Sequence, residues 1–252
     1  MSEAQACRAR LHGDAFDNTR SHSYIALDVP DAAAALQIVD DFGDIVSGYK
    51  VGLQLFHAAG LPLLDALLTK GKRIFLDAKL HDIPNTVAGA LRAIGELPID
   101  LVNVHALGGR QMLVTAREAI DKATYHPRLV AVTMLTSMSQ ASLAEIGVPC
   151  SATQWVLKLA ELAYASGLDG VVASAQELRD IYAVLPRTFA TVVPGTRLQG
   201  AARHDQARSA TPREAMAAGC TDLVIGRAVL QAADRFAALE ATWLDMVQGF
   251  EH

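Results

Sequence analysis

From residue 22 onward the chain repeats one unit eight times: a short apolar run of β character, then a stretch with helical spacing. That alternation constrains the fold more than any other feature, because it calls for a parallel sheet with crossover helices. The runs lie at 24–29, 45–52, 73–76, 100–105, 129–135, 170–173, 189–193 and 222–225. Between them, Ala35, Ile38, Val39 and Phe42 recur at i, i+3, i+4 and i+7, and so do Val87, Ala90, Leu91 and Ile94. Met112, Leu113, Ala116 and Ile120 form another stripe, and Val156, Leu159, Ala160 and Ala163 a further one. A helix over 63–68 stops at Gly71, and a last helix runs from Gly226-Arg227 to about Val247. Ser174-Ala175-Gln176-Glu177 and Thr211-Pro212-Arg213-Glu214 are capping boxes, the second with proline at the first helical position. Eight such units in 252 residues predict an α/β protein, a single-domain (β/α)8 TIM barrel over residues 22–252. A doubly wound sheet is the competitor, but it calls for a glycine-rich turn after the first strand, where this chain has Pro30-Asp31. Residues 1–21 are polar and aperiodic and read as a flexible N-terminal extension.

In such a barrel the chemistry sits at the C-terminal ends of the strands. Those ends carry Asp28, Lys50, Asp77 with Lys79, His105, Thr136, Arg197 and Arg227. Strand period 2 puts Asp77 and Lys79 on one face, and strands one to three end in charges of alternating sign. Burying such charges is costly, so a shared catalytic network explains them better than separate structural pairs. The loops after strands seven and eight form the usual phosphate site of the fold, and Gly195-Thr196-Arg197 and Gly226-Arg227 suit an anion. The polar connection over 195–210 has the length and the glycines of a lid.

Composition narrows the partners. A net charge of −5 without a basic run argues against nucleic acid or an anionic membrane surface. Cys7, Cys150 and Cys220 are odd in number and lack ligand spacing, so they read as free thiols in a reducing compartment. No apolar run approaches the roughly 20 residues of a membrane span, and no signal-peptide core is visible, which predicts a soluble cytoplasmic protein. His57 and His81 read as surface or packing residues, and His105 is a candidate pocket residue. No H-x-H or H-E-x-x-H pattern occurs, and Lys50 and Lys79 neutralise the one candidate cation site, Asp28/Asp77/Asp82, so no metal is expected.

Six segments together carry a family resemblance over about residues 22–248. They are Leu27-Asp28-Val29-Pro30, Tyr49-Lys50-Val51-Gly52, the long block from Phe75 through Asp77-Ala78-Lys79-Leu80-His81-Asp82-Ile83-Pro84-Asn85 to Thr86, Val132-Thr133-Met134-Leu135-Thr136-Ser137, Val193-Pro194-Gly195-Thr196-Arg197, and Ile225-Gly226-Arg227. In these the chain closely resembles the orotidine 5′-phosphate decarboxylases. The resemblance implies cofactor-free decarboxylation of orotidine 5′-phosphate to UMP, the last step of de novo pyrimidine synthesis. It implies that Asp28 binds the ribose region, that Lys50, Asp77, Lys79 and Asp82 form the charged network, and that Lys79 donates the proton. Thr136 and Ser139 would lie by the pyrimidine, Arg197, Gly226 and Arg227 would hold the phosphate, and Gln206 would bridge base and phosphate from the lid. It further implies a homodimer in which Asp82 and Thr86 come from the neighbouring subunit.

Two other readings compete. Magnesium-dependent sugar-phosphate enzymes of the same barrel resemble this chain in D-x-K-x-x-D but carry Glu where it has Lys50. A phosphate-binding barrel without catalysis would have no reason to keep the costly cluster Asp28/Lys50/Asp77/Lys79/Asp82.

Overall fold

A computed structural model describes residues 3–198 and 210–250. Helices α1 (Glu3–Leu11) and α2 (Asp17–Ser21) precede β1 (Ser23–Ala26). Then follow α3 (Ala32–Phe42), β2 (Gly48–Gly52), α4 (Leu53–Thr69), β3 (Arg73–Leu80), α5 (Pro84–Ile94), β4 (Leu101–His105), α6 (Gly109–Asp121) and β5 (Arg128–Val132). Helices α7 (Gln140–Glu145) and α8 (Ala152–Ala165) lead to β6 (Gly170–Val172), α9 (Leu178–Val184), β7 (Ala190–Pro194), α10 (Pro212–Ala217) and β8 (Asp222–Ile225). The last described elements are α11 (Arg227–Leu230) and α12 (Arg235–Phe250). The strands close into a parallel barrel in sequence order, β1 pairing with both β2 (Ile25 opposite Tyr49) and β8 (Tyr24 opposite Val224). The expected (β/α)8 barrel is the fold observed.

Strand alternation builds two cores from one sheet. Outward residues such as Ile25, Tyr49, Val51, Ile74, Leu76, Val102 and Val104 are buried beneath the helices. Inward residues Tyr24, Ala26, Phe75, Leu101, Val130, Val192 and Val224 fill the barrel itself. Below this plug, Arg128 makes a bidentate pair with Asp222 (2.8 and 3.0 Å), and Arg73 reaches Asp100 at 2.9 Å. The Tyr24 hydroxyl donates to Asp100 and accepts from Arg128. The barrel is therefore plugged at its N-terminal end, and its inward positions are open to chemistry only at the other end.

Both capping boxes form as read: Ser174 opens the turn before α9, and Thr211 caps α10 with Pro212 in its first turn. Other boundaries differ. The helix expected over 63–68 starts ten residues earlier, at Leu53, with a kink at Gly60 (φ 59°). The single last helix divides into α11 and α12, and α7 occupies part of the connection after β5.

Residues 3–21, read as flexible, form α1 and α2 and bury Cys7, Leu11, Phe16 and Thr19. The Phe16 ring packs on Trp243 of α12 at 5.6 Å, and Arg10 holds Glu240 on the same helix. Each buried Leu or Phe contributes roughly 1.5–3 kcal/mol. Arg10 and Phe16 reach residues more than 200 positions away, so no local period could reveal this packing.

Candidate active site

Inward alternation delivers Lys50 from β2 and Asp77 from β3 to the C-terminal mouth, in strands whose outward residues are Tyr49, Val51 and Leu76. Both charged groups are buried. The Lys50 ammonium donates to Asp28 Oδ1 at 3.1 Å and lies 3.5 Å from Asp77 Oδ2. Lys79 Nζ donates to the other Asp77 oxygen, Oδ1, at 2.5 Å. Asp28, Lys50, Asp77 and Lys79 are thus one chain of alternating charge. Gly52 leaves room for it, since a Cβ there would stand 2.9 Å from Lys50 Nζ.

Burial alone would push the Asp77 carboxyl up. The Lys50 and Lys79 ammoniums, with hydrogen bonds from Lys79 and Asn103, outweigh that and hold it below the usual carboxylate range. Asp77 is therefore a fixed anion at neutral pH, held between two cations.

Asp77 and Lys79 meet as expected, but not by plain alternation. From Leu76 to Leu80 β3 advances four residues while β4 advances two, from Val102 to Val104, so β3 bulges here. Lys79 sits in the bulge with φ 46°, the only non-glycine residue among those described in the left-handed region. Such a conformation costs about 1–3 kcal/mol and persists where its surroundings enforce it.

The cavity above these residues has a volume of about 240 Å³. Asp28, Lys50, Asp77, Lys79, Thr136, Arg197, Gly226 and Arg227 all line it. Its apolar wall includes Phe75, Met134, Val172 and Val192, none of them expected at the site from the sequence. Arg197 follows β7, opposite β3 in the eight-strand ring, so the arginine side faces the lysine side. Gly195 takes φ 80°, which glycine adopts without a Cβ penalty, and Arg197 N donates to Ala210 O at 3.0 Å across the base of the 195–210 connection. Gln206 lies outside the described residues, with most of the expected lid.

Several expected residues do not line this cavity. Ser139 is the N-cap of α7, its exposed hydroxyl accepting from Ser142 N at 3.2 Å. Asp82 and Thr86 are exposed at the start of α5. His105, the candidate pocket histidine, also stays outside it and stacks on His81 at 5.4 Å. Burial, His81 and Lys79 all lower the pKa of His105. One buried partner of the network was missed: Asn103 of β4, which donates to Asp77 Oδ1 at 2.7 Å. Its signal was available, as an amide in the apolar run Leu101-Val102-Asn103-Val104 at an inward position.

The model of the orotidine 5′-phosphate decarboxylase / HUMPS family matches residues 22–242 of this chain. The chain belongs to this family. An orotidine 5′-phosphate decarboxylase of Laribacter hongkongensis is 48% identical over 217 residues, 86% of this chain and 89% of the relative. That of Hydrogenovibrio crunogenus is 46% identical over 215 residues, 85% and 91% of the two chains. The crystal structure of the orotidine 5′-phosphate decarboxylase from Lactobacillus acidophilus superposes with a TM-score of 0.79 at 36% identity, covering 89% of this chain and 98% of that one. The decarboxylase-family match begins at residue 22, so α1 and α2 both lie before it.

Proposed function

We propose that the protein converts orotidine 5′-phosphate to UMP and CO2, the last step of de novo pyrimidine synthesis, with Lys79 as proton donor. The observation that carries the reading is the Asp28–Lys50–Asp77–Lys79 chain in a cavity that Arg197 and Arg227 also line. The decarboxylase relatives named above support the substrate.

The chemistry needs such a cluster. Breaking the bond from C6 to the carboxylate leaves an electron pair on a vinyl-type carbon with no adjacent sink. A fixed ammonium beside C6 stabilises that charge, and Lys79 then transfers a proton to C6 and regains one from water. Asp77 holds the Lys79 ammonium in place and, near the substrate carboxylate, raises the ground state. Asp28 contacts the ribose region and Thr136 the pyrimidine. Arg197 and Arg227 take the phosphate, with Gly226 letting the backbone approach it. Binding energy gathered at that remote phosphate contributes to the rate at C6. No cofactor is required.

The site is completed by a second copy of the chain in this reading. Asp82 and Thr86 are exposed and outside their own cavity, beside Ile83, which is 67% exposed, and Leu107 is exposed as well. An apolar surface next to exposed polar groups suits a homodimer that brings Asp82 and Thr86 to the partner's site. The reading also includes a cytoplasmic setting, which the free cysteines Cys7, Cys150 and Cys220 support. Among the described residues no helix is long and apolar enough to cross a membrane.

The magnesium-dependent sugar-phosphate reading is disfavoured by Lys50, whose ammonium occupies the space between Asp28 and Asp77 where a cation would bind. Two results test the proposal. The purified protein is expected to release UMP and CO2 in equal amounts from orotidine 5′-phosphate. Arg227→Ala is expected to raise KM about 10- to 100-fold through the lost charge-assisted contact; an unchanged KM would remove Arg227 from the phosphate site.

A further inference from the structure

Asn103 is fully buried, and one amide group meets both parts of the Asp77–Lys79 unit. Its Oδ1 accepts from the Lys79 backbone N–H at 2.6 Å, and its Nδ2 donates to Asp77 Oδ1 at 2.7 Å. The chemistry of the partners fixes this orientation of the amide. A backbone N–H only donates, so it must face Oδ1, and an ionised carboxylate only accepts, so it must face Nδ2.

Two consequences follow from the geometry. The bulge takes the Lys79 N–H out of the regular ladder to β4, and Asn103 supplies the partner it would otherwise lack. That bond holds a residue whose φ of 46° is unfavourable for a side chain bearing a Cβ. Asn103 also fixes the rotation of the carboxylate, because Oδ1 receives both Asn103 and Lys79 while Oδ2 turns to Lys50. The direction of the Lys79 side chain and the face of Asp77 are thus set by one neutral side chain that does not line the cavity.

We infer that Asn103 is a positioning residue for decarboxylation, acting on the rate of the chemical step through Asp77 and Lys79. The inference rests on the proposed roles of those two residues. A neutral side chain is needed because it has to donate and accept without adding charge to the Asp77/Lys79/Lys50 group. His105, two residues along β4, is the ionisable group of that strand near Lys79.

The test uses Asn103→Leu and Asn103→Asp in the full chain, beside wild type and Lys79→Ala. Asn103→Leu keeps the volume and removes both hydrogen bonds. Its kcat is expected to fall about 100-fold, the scale of an ångström-sized misplacement, with KM within threefold because the phosphate side is untouched. Asn103→Asp places a second carboxylate against Asp77 at high pH. When protonated, that carboxyl can again donate to Asp77 and accept from Lys79. Its kcat is expected to rise at least tenfold from pH 8 to pH 5, over a range where wild type shows no such rise. A merely structural role would lower thermal stability in both variants without that pH-dependent recovery.

If Asn103→Leu does not fold, Asn103→Asp decides alone. Folded variants with kcat within twofold of wild type, or an Asn103→Asp variant with no gain at low pH, overturn the inference. An inactive Lys79→Ala beside unaffected Asn103 variants confines that failure to Asn103. A fully active Lys79→Ala instead overturns the site reading on which the inference stands.

Discussion

Lys79→Ala is expected to lower kcat by about four orders of magnitude or more, since it removes the charge beside C6 and the proton donor together. The protein should remain folded. Asp77 keeps the Lys50 ammonium at 3.5 Å and the Asn103 amide at 2.7 Å, so its buried carboxylate is not left without partners. Alanine also tolerates the left-handed backbone no worse than lysine does, because the penalty arises at Cβ. Single-turnover assays with saturating orotidine 5′-phosphate read the chemical step, and thermal unfolding checks the fold. A folded variant with kcat within tenfold of wild type contradicts the proposed role of Lys79.

The second large effect concerns the sharing of sites between subunits. Asp82→Ala is expected to cost about two orders of magnitude or more, as loss of a fixed charge in the catalytic network. Mixing it with Lys79→Ala under conditions of subunit exchange should then restore activity that neither variant has alone. In a mixed dimer one site lacks both side chains, while the other has Lys79 from one subunit and Asp82 from its partner. Random exchange makes half of the dimers mixed, so recovery should approach about a quarter of the wild-type rate. Recovery at that level is expected because Asp82 is exposed and outside its own cavity. No recovery, with exchange verified by a mass or fluorescence label, contradicts the shared site.

Much of the fold was legible because a barrel strand is short, apolar on both faces and bounded by helical spacing. The 222–225 run becomes β8 without adjustment, and the boxes at Ser174 and Thr211 mark their turns correctly. The segment before β1 was not legible. Its short helices are held by Leu11 and Phe16 against the far end of the chain, so its order is a tertiary effect. The charged residues at the mouth were legible because alternation fixes their face, as with Lys50 and Asp77. The bulge at Lys79 was not, since Asp77-Ala78-Lys79 reads equally well as a straight strand. Asn103 was visible in the sequence yet passed over among charges, although a buried amide in a valine-rich strand carries the same information. Ser139 neighbours the Thr136 loop in sequence, while its hydroxyl caps α7.

The measurement that tests the central claim most directly is the absorbance loss of orotidine 5′-phosphate on adding EDTA-treated protein. Rapid turnover without metal, yielding UMP, is the predicted result, because Lys50 and Lys79 supply the positive charge of the site. Absence of turnover, with activity appearing only on a sugar phosphate in the presence of Mg²⁺, would contradict the account and return Asp28 and Asp77 to the role of metal ligands.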